Sequence, residues 1–205
     1  MKKVFAIIAV TVCAIAILNQ SAFAQEANSE IKFGARVFGG ATDLANKRDL
    51  ELASNTEIGF GMGVGAVSLI PFYGIYFAPE LSFESHSFKS NEQIGYSTYE
   101  VKYEEWGLKA NLNFRFHYRE ENLVYFEVGP AFNFALDPKA NISGLSLDLD
   151  DERSAIDFGL NLGIGFRLSE HHSLDYKIFR NFTGFSDSNN DLVLIAMQIG
   201  YSYMF

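Results

Sequence analysis

The sequence predicts an all-β fold, an eight-stranded antiparallel up-and-down transmembrane β-barrel. Three observations predict it. Beyond residue 24 the chain alternates apolar and polar residues in eight separate segments, and a period of two is the strand signature. The connections between those segments alternate long and short, the rhythm of a membrane barrel with long loops at one end and tight turns at the other. No later apolar run reaches the about 20 residues of a spanning helix, yet 20 Phe and 10 Tyr is a heavy aromatic load for a soluble domain.

The first segment stands apart from the fold. Lys2 and Lys3 precede an apolar run from Val4 to Leu18 that only Thr11 interrupts, and Ala22-Phe23-Ala24 puts small residues where a signal peptidase reads. Residues 1–24 are expected to be a cleaved signal peptide and residues 25–205 a single barrel domain. Cys13 lies inside the apolar run between Val12 and Ala14, a setting that does not suit a lipid anchor, and the mature chain then has no cysteine. Setting aside Lys2 and Lys3 leaves 14 of 16 basic residues against 25 acidic ones, a net charge of −11. That balance argues against nucleic acid, whose binders carry basic patches.

In chain order the strand segments are 30–39, 57–69, 73–86, 104–118, 123–136, 155–168, 173–184 and 192–205. Most exceed the about 9–11 residues with which a tilted strand crosses a bilayer, and their number is even, as in bacterial barrels. The second alternates Gly59, Gly61, Gly63 and Gly65. In the fourth, Leu108, Ala110, Leu112, Phe114 and Phe116 oppose Lys109, Asn111, Asn113, Arg115 and His117. In the sixth, Ile156, Phe158, Leu160, Leu162, Ile164 and Phe166 oppose Asp157, Gly159, Asn161, Gly163, Gly165 and Arg167. In the last, Val193, Ile195, Met197, Ile199, Tyr201, Tyr203 and Phe205 oppose Leu194, Ala196, Gln198, Gly200, Ser202 and Met204. Residues 40–56, 87–103, 137–154 and the shorter 185–191 read as loops. Tight turns are expected near Pro71, at Glu120 to Asn122 and at Glu170 to His172, which would put both mature ends in the periplasm.

The apolar set is too bulky for the interior of an eight-stranded barrel. The opposite set is rich in glycine, which weakens a strand unless space is needed. The apolar face therefore meets lipid and the polar face fills the lumen. Aromatic residues gather at strand ends: Tyr201, Tyr203, Phe205, Phe116, Tyr118 and Phe166 at the periplasmic rim, Trp106, Phe132, Phe134 and Phe83 at the outer one.

Tyr201-Ser202-Tyr203-Met204-Phe205, alternating apolar residues closed by a final aromatic, resembles the terminal assembly signal of outer-membrane barrels, with Tyr201, Tyr203 and Phe205 carrying it. Pro79-Glu80-Leu81 in the third segment is similar too. The resemblance is to the small OmpA/OmpX-type barrels and the broad "outer membrane β-barrel" or "porin family" of small proteins. It implies a bacterial outer-membrane location and insertion by the barrel-assembly machinery. It does not imply a particular activity.

The lumen set holds the basic residues Lys32, Arg36, Lys109, Arg115, Arg167 and Lys177 and the acidic residues Glu80, Glu84, Glu127, Asp157 and Asp175. Near balance suggests a paired network that plugs the lumen rather than a single-sign ion path. An unpaired charge inside a dry barrel costs several kcal/mol or more. A turn at Glu120 to Asn122 would set Arg115 opposite Glu127, and one from Ser169 to Ser173 would set Arg167 opposite Asp175.

Other patterns carry less. Gly59 to Gly65 has glycine at strict twos, Val64 where a dinucleotide fingerprint needs glycine, and no helix after it. His171-His172-Ser173 has the His and Ser spacing of a class of lipid A-modifying barrel enzymes but sits in an expected periplasmic turn. His86 and Ser87, near the outer rim, are adjacent and so face opposite ways. Asp148, Asp150, Asp151 and Glu152 form the densest acidic cluster. It reads as a solvated loop tip, with divalent cation binding as the alternative. Leu145, Leu147 and Leu149 alternate with it and suggest a hairpin rising above the membrane and packing on the loop that carries Tyr96, Tyr99 and Tyr103. Asn141-Ile142-Ser143 fits a glycosylation sequon, uninformative in a bacterium. The expected function is a non-enzymatic structural or surface-interaction role through outer loops, with a lipid A-modifying enzyme or a narrow pore as alternatives. The expected partners are outer-membrane lipid, lipopolysaccharide, the assembly machinery and a surface ligand the sequence does not name. No cofactor motif is present.

Overall fold

A computed structural model describes residues 31–46, 56–94, 97–117, 123–136, 138–142, 145–148, 156–183 and 192–205. The expected signal peptide, residues 1–24, lies outside these residues. The eight alternating segments form β1 (Lys32–Asn46), β3 (Gly59–Phe72), β4 (Ile75–Ile94), β5 (Ser97–His117), β6 (Val124–Ala135), β9 (Ile156–Arg167), β10 (His172–Asn181) and β11 (Leu192–Met204). Each pairs antiparallel with its neighbours in the order β1-β3-β4-β5-β6-β9-β10-β11, and β11 returns to β1 from Gly34↔Met204 to Asn46↔Leu192. The ring is closed, so no strand edge among these eight is left for lipid, where an unpaired backbone group cannot find water.

Three short strands lie beyond the ring at one end, called distal here; the end bearing Lys32 and Phe205 is proximal. β2 (Thr56–Glu57) pairs with β4 at Lys89 and Ser90, β7 (Lys139–Ile142) pairs with β5 from Val101 to Glu104, and β8 (Leu145–Asp148) pairs with β7. The expected loop 87–103 is mostly strand, because β4 and β5 stay in register out to Ile94↔Ser97. Phe88, Val101 and Tyr103 continue the alternation there, and Phe88 stacks on Tyr103 at 5.1 Å. β1 likewise runs on through Asn46, into the expected loop 40–56. The hairpin expected within 137–154 forms as β7 and β8, but it joins the edge of β5 by backbone pairing rather than stacking on its face.

The turn expected near Pro71 falls two residues later. Pro71 pairs with Tyr76 as a strand residue, and Tyr73 and Gly74 turn the chain with φ of 48° and 82°. Two successive positive φ values match the twist of a two-residue hairpin, and Gly74 adopts its value without a Cβ penalty. The turn after β9 is tighter than expected. Ser173 pairs with Arg167, so Ser169, Glu170 and His171 alone make the turn. The Ser169 hydroxyl accepts the backbone N–H groups of His171 and His172 at 3.3 and 3.2 Å, a local bond that draws the chain round early.

The two faces separate as the alternation requires. Ile199, Tyr201, Tyr203 and Phe205 are exposed while Gln198, Gly200, Ser202 and Met204 are buried. The lone Trp106 is outward and stacks on Phe83 at 5.2 Å. The inward face is not polar throughout. Leu44, Phe88, Ala131, Phe179, Leu194 and Ala196 form a buried apolar cluster with Tyr103 against it, and Val67, Leu69, Ala78 and Met204 form a second with Tyr76.

Candidate functional site

Between the two apolar clusters the inward residues are charged. Arg36 donates to both carboxylate oxygens of Asp175, at 3.1 and 3.2 Å from Nε and 2.6 Å from Nη2, and its Nη1 donates to Glu80 at 3.1 Å. Lys177 lies 2.8 Å from Glu80 and 2.8 Å from Glu127, and Arg115 reaches Glu127 at 2.7 Å. Asp175, Arg36, Glu80, Lys177, Glu127 and Arg115 are thus one continuous chain of alternating sign, all buried. A second group centres on Glu84, which meets His86 at 3.0 Å, Lys109 at 3.5 Å and the Gln198 amide at 3.2 Å. Aromatic faces back the cations: Phe38 under Arg36, Phe179 under Lys109 and Tyr125 under Arg115, at 4.5, 3.8 and 3.9 Å.

Sequence position explains how these groups meet. Arg115 and Glu127 are direct cross-strand partners, as expected. Two of the other bridges skip a strand, and they do so over glycine. Arg36 on β1 reaches Asp175 on β10 across Gly200 of β11, where an added Cβ would sit 2.5 Å from Nη2. Lys177 on β10 reaches Glu127 on β6 across Gly163 of β9, where a Cβ would sit 3.1 Å from the lysine Cγ. The space that the inward glycines were expected to provide is used in this way.

The structure corrects part of the expected lumen set. Arg167 does not oppose Asp175, because the Ser169-capped turn shifts the register by two residues; Asp175 pairs with Gly165 and binds Arg36 instead. Lys32 is exposed and Arg167 half-exposed at the proximal mouth, since both sit at strand ends. Asp157, buried as expected, accepts a hydrogen bond from Thr183 at 3.1 Å. His86 is not a rim residue: it is buried inward beside Glu84. Sequence reasoning misplaced His86 and left Asp43, Glu105 and an inward asparagine set out of the lumen network. Asn161 donates to Asn113 at 3.2 Å and Asn133 to Glu105 at 3.1 Å. Their even spacing with Lys109 and Asp157 was the available signal. Asp150, Asp151 and Glu152 lie outside the described residues, and for Asp148 only the backbone pairing with Lys139 is described. Among the described residues no three His, Cys, Asp or Glu side chains are grouped to hold a metal ion. The outward Tyr201 and Tyr203 and the 76%-exposed Phe205 line the closing strand, and the Phe205 amide donates to Phe33 at 2.8 Å.

A closed eight-stranded antiparallel ring with a bulky apolar outside and a charged inside defines a transmembrane β-barrel. The model of the outer membrane protein beta-barrel domain matches residues 10–205, and the chain belongs to that family. Its place is therefore the bacterial outer membrane. Among solved structures the fold is similar to neisserial surface protein A, at 12% identity and a TM-score of 0.56, covering 86% of this chain and 100% of that one. It is also similar to Ail of Yersinia pestis in complex with the heparin analogue sucrose octasulfate, at 12% identity and a TM-score of 0.48, covering 86% and 100%. OprG of Pseudomonas aeruginosa follows at 15% identity and a TM-score of 0.40, covering 85% and 94%. No curated protein matches the chain.

Proposed function

We propose that this chain is a non-conducting, non-enzymatic outer-membrane barrel whose lumen is plugged by its own side chains and whose role is structural or one of surface contact. The observation that carries the reading is the ion chain from Asp175 to Arg115, which crosses the lumen between two apolar clusters. Six charges that satisfy one another leave no single-sign path for ions. His86, the histidine expected near the outer rim, faces Glu84 inside the barrel and not the lipid surface.

In this reading the proximal turns and both mature ends are periplasmic, and the distal extension of β4 and β5 with β2, β7 and β8 stands outside the cell. A rigid sheet of that kind presents side chains to lipopolysaccharide or to a surface ligand, and loops on a rigid scaffold are where such contacts reside. The outward Tyr201, Tyr203 and Phe205 suit recognition by the assembly machinery during insertion. Planar-bilayer recording tests the plug: the folded protein is expected to show no stable conductance, and a stable, large single-channel current would overturn it. Protease cleavage between Ile94 and Ser97 and between Ile142 and Leu145 on intact cells tests the orientation.

A further inference from the structure

At the proximal mouth the barrel forms a partly open pocket of about 50 Å³. A water needs about 10–15 Å³ of such space, so the pocket has room for roughly three waters or one small tetrahedral ion. Lys32 from β1 and Arg167 from β9 line it from separate strands, with His117, Tyr76 and Ser173 between them and Glu170 at the turn. The cations are placed there by local structure. The Ser169-capped turn takes Arg167 out of register with Asp175, and Lys32 opens β1.

Charge at this mouth is unbalanced. The nearest buried carboxylates, Glu127 and Asp175, are engaged by Arg115, Lys177 and Arg36. Among the described residues neither Lys32 nor Arg167 has an ion-pair partner, and Glu170 is the one carboxylate lining the pocket. Beneath lies the apolar cluster of Leu69 and Met204, which lowers the local dielectric and strengthens any charge held above it.

We propose that this mouth is a binding site for one phosphate-type oxyanion, held between Lys32 and Arg167. A guanidinium offers a planar fork of donors to such an ion and an ammonium a compact point charge. The Ser173 and Tyr76 hydroxyls and the His117 ring supply further donors. Donors from five strands suit a tetrahedral ion with several oxygens better than a flat carboxylate with two. The same chemistry is offered by free phosphate and by the phosphodiester of a phospholipid headgroup.

The test uses the chain folded in neutral, phosphate-free detergent. Inorganic phosphate and, separately, glycerophosphorylglycerol (the soluble diester headgroup) are titrated while the His117 ring resonances are followed by NMR. Saturable shifts are expected. Arg167→Gln and Lys32→Gln should each weaken binding at least tenfold, and Arg167→Lys should retain part of it. Heat-dependent gel mobility confirms that each variant is folded. Response to phosphate alone assigns free phosphate; response to the diester, with or without phosphate, assigns a headgroup. No saturable response to either, or equal binding by wild type and the Lys32→Gln, Arg167→Gln double variant, overturns the proposal.

Discussion

Replacing Arg36 by Met should be the most damaging single change in the ion chain. Arg36 is 1% exposed and is the only charged partner that Asp175 has in that chain. Its loss strands Asp175 without a counter-ion, while Glu80 keeps Lys177 at 2.8 Å. Breaking one side of a buried pair costs about 3–5 kcal/mol, because the remaining charge stays desolvated. Arg115→Met removes a cation of similar burial, but Glu127 retains Lys177 at 2.8 Å. Its cost should be smaller, about 1–3 kcal/mol, the range for a lost charged hydrogen bond. The double variant Arg36→Met, Asp175→Leu removes both charges and should recover at least about 1.5 kcal/mol relative to the sum of the single effects. Urea unfolding of the barrel in lipid vesicles measures the wild type, Arg36→Met, Arg115→Met, Asp175→Leu and the double variant. The lone tryptophan, Trp106, sits on the outer face against Phe83 and reports loss of the barrel by its fluorescence. Arg36→Met within about 0.5 kcal/mol of wild type, the range of a neutral surface change, would refute the idea that the chain is dry and obligatory. Strict additivity in the double variant would refute the pairing.

Two further outcomes follow from the backbone. Gly200→Ala places a methyl group where the Arg36 guanidinium now lies, 2.5 Å from Nη2, and should destabilise by about 1–3 kcal/mol, the cost of overpacking; a variant that unfolds with the wild type shows that Arg36 does not cross β11 there. Gly74→Ala meets no neighbouring atom but keeps a φ of 82°. It should cost about 1 kcal/mol and slow refolding of the β3–β4 hairpin, and unchanged unfolding would show that the turn is of another type.

The architecture was legible in the sequence because a barrel repeats one simple rule. Alternation in residues 192–205 separates Tyr201 and Tyr203 from Gly200 and Ser202 whatever the neighbours are, and the exposed and buried sets follow it. Strand ends were less legible. Phe88 and Tyr103 look like loop aromatics until β4 and β5 are seen to stay paired beyond them. Register depended on turn length. Arg115 and Glu127 came out opposite each other, whereas Arg167 and Asp175 did not, because a single hydroxyl, Ser169, shortened the second turn. The inward charges could be named from parity alone. Their partners could not, since Arg36 and Lys177 reach past the adjacent strand, and only the glycines at 200 and 163 hint at which strand they cross.

Those skipped strands bear on how the barrel holds its closure. Around the ring, β4 and β10 stand opposite each other, and Glu80 and Lys177 join them directly across the lumen. Arg36 belongs to β1 and Asp175 to β10, on either side of β11, so their bridge straddles the seam where the first and last strands meet. An open eight-stranded sheet could form the Arg115–Glu127 pair, which is local to one hairpin, but not these two. Before closure the inward charges remain hydrated and each pair is worth little. After closure the apolar clusters of Phe88 with Leu194 and of Leu69 with Met204 flank the charged layer and reduce the water available to it. Desolvation then makes every missing partner expensive. The network therefore penalises a slipped seam more than it strengthens a correct one: a two-residue shift of β11 on β1 would replace Gly200 beneath Arg36 with Gln198 or Ser202 and block its path to Asp175. Glycine, arginine and the register of the terminal strand specify one another, and a substitution at any of the three should appear first as a fault in closure.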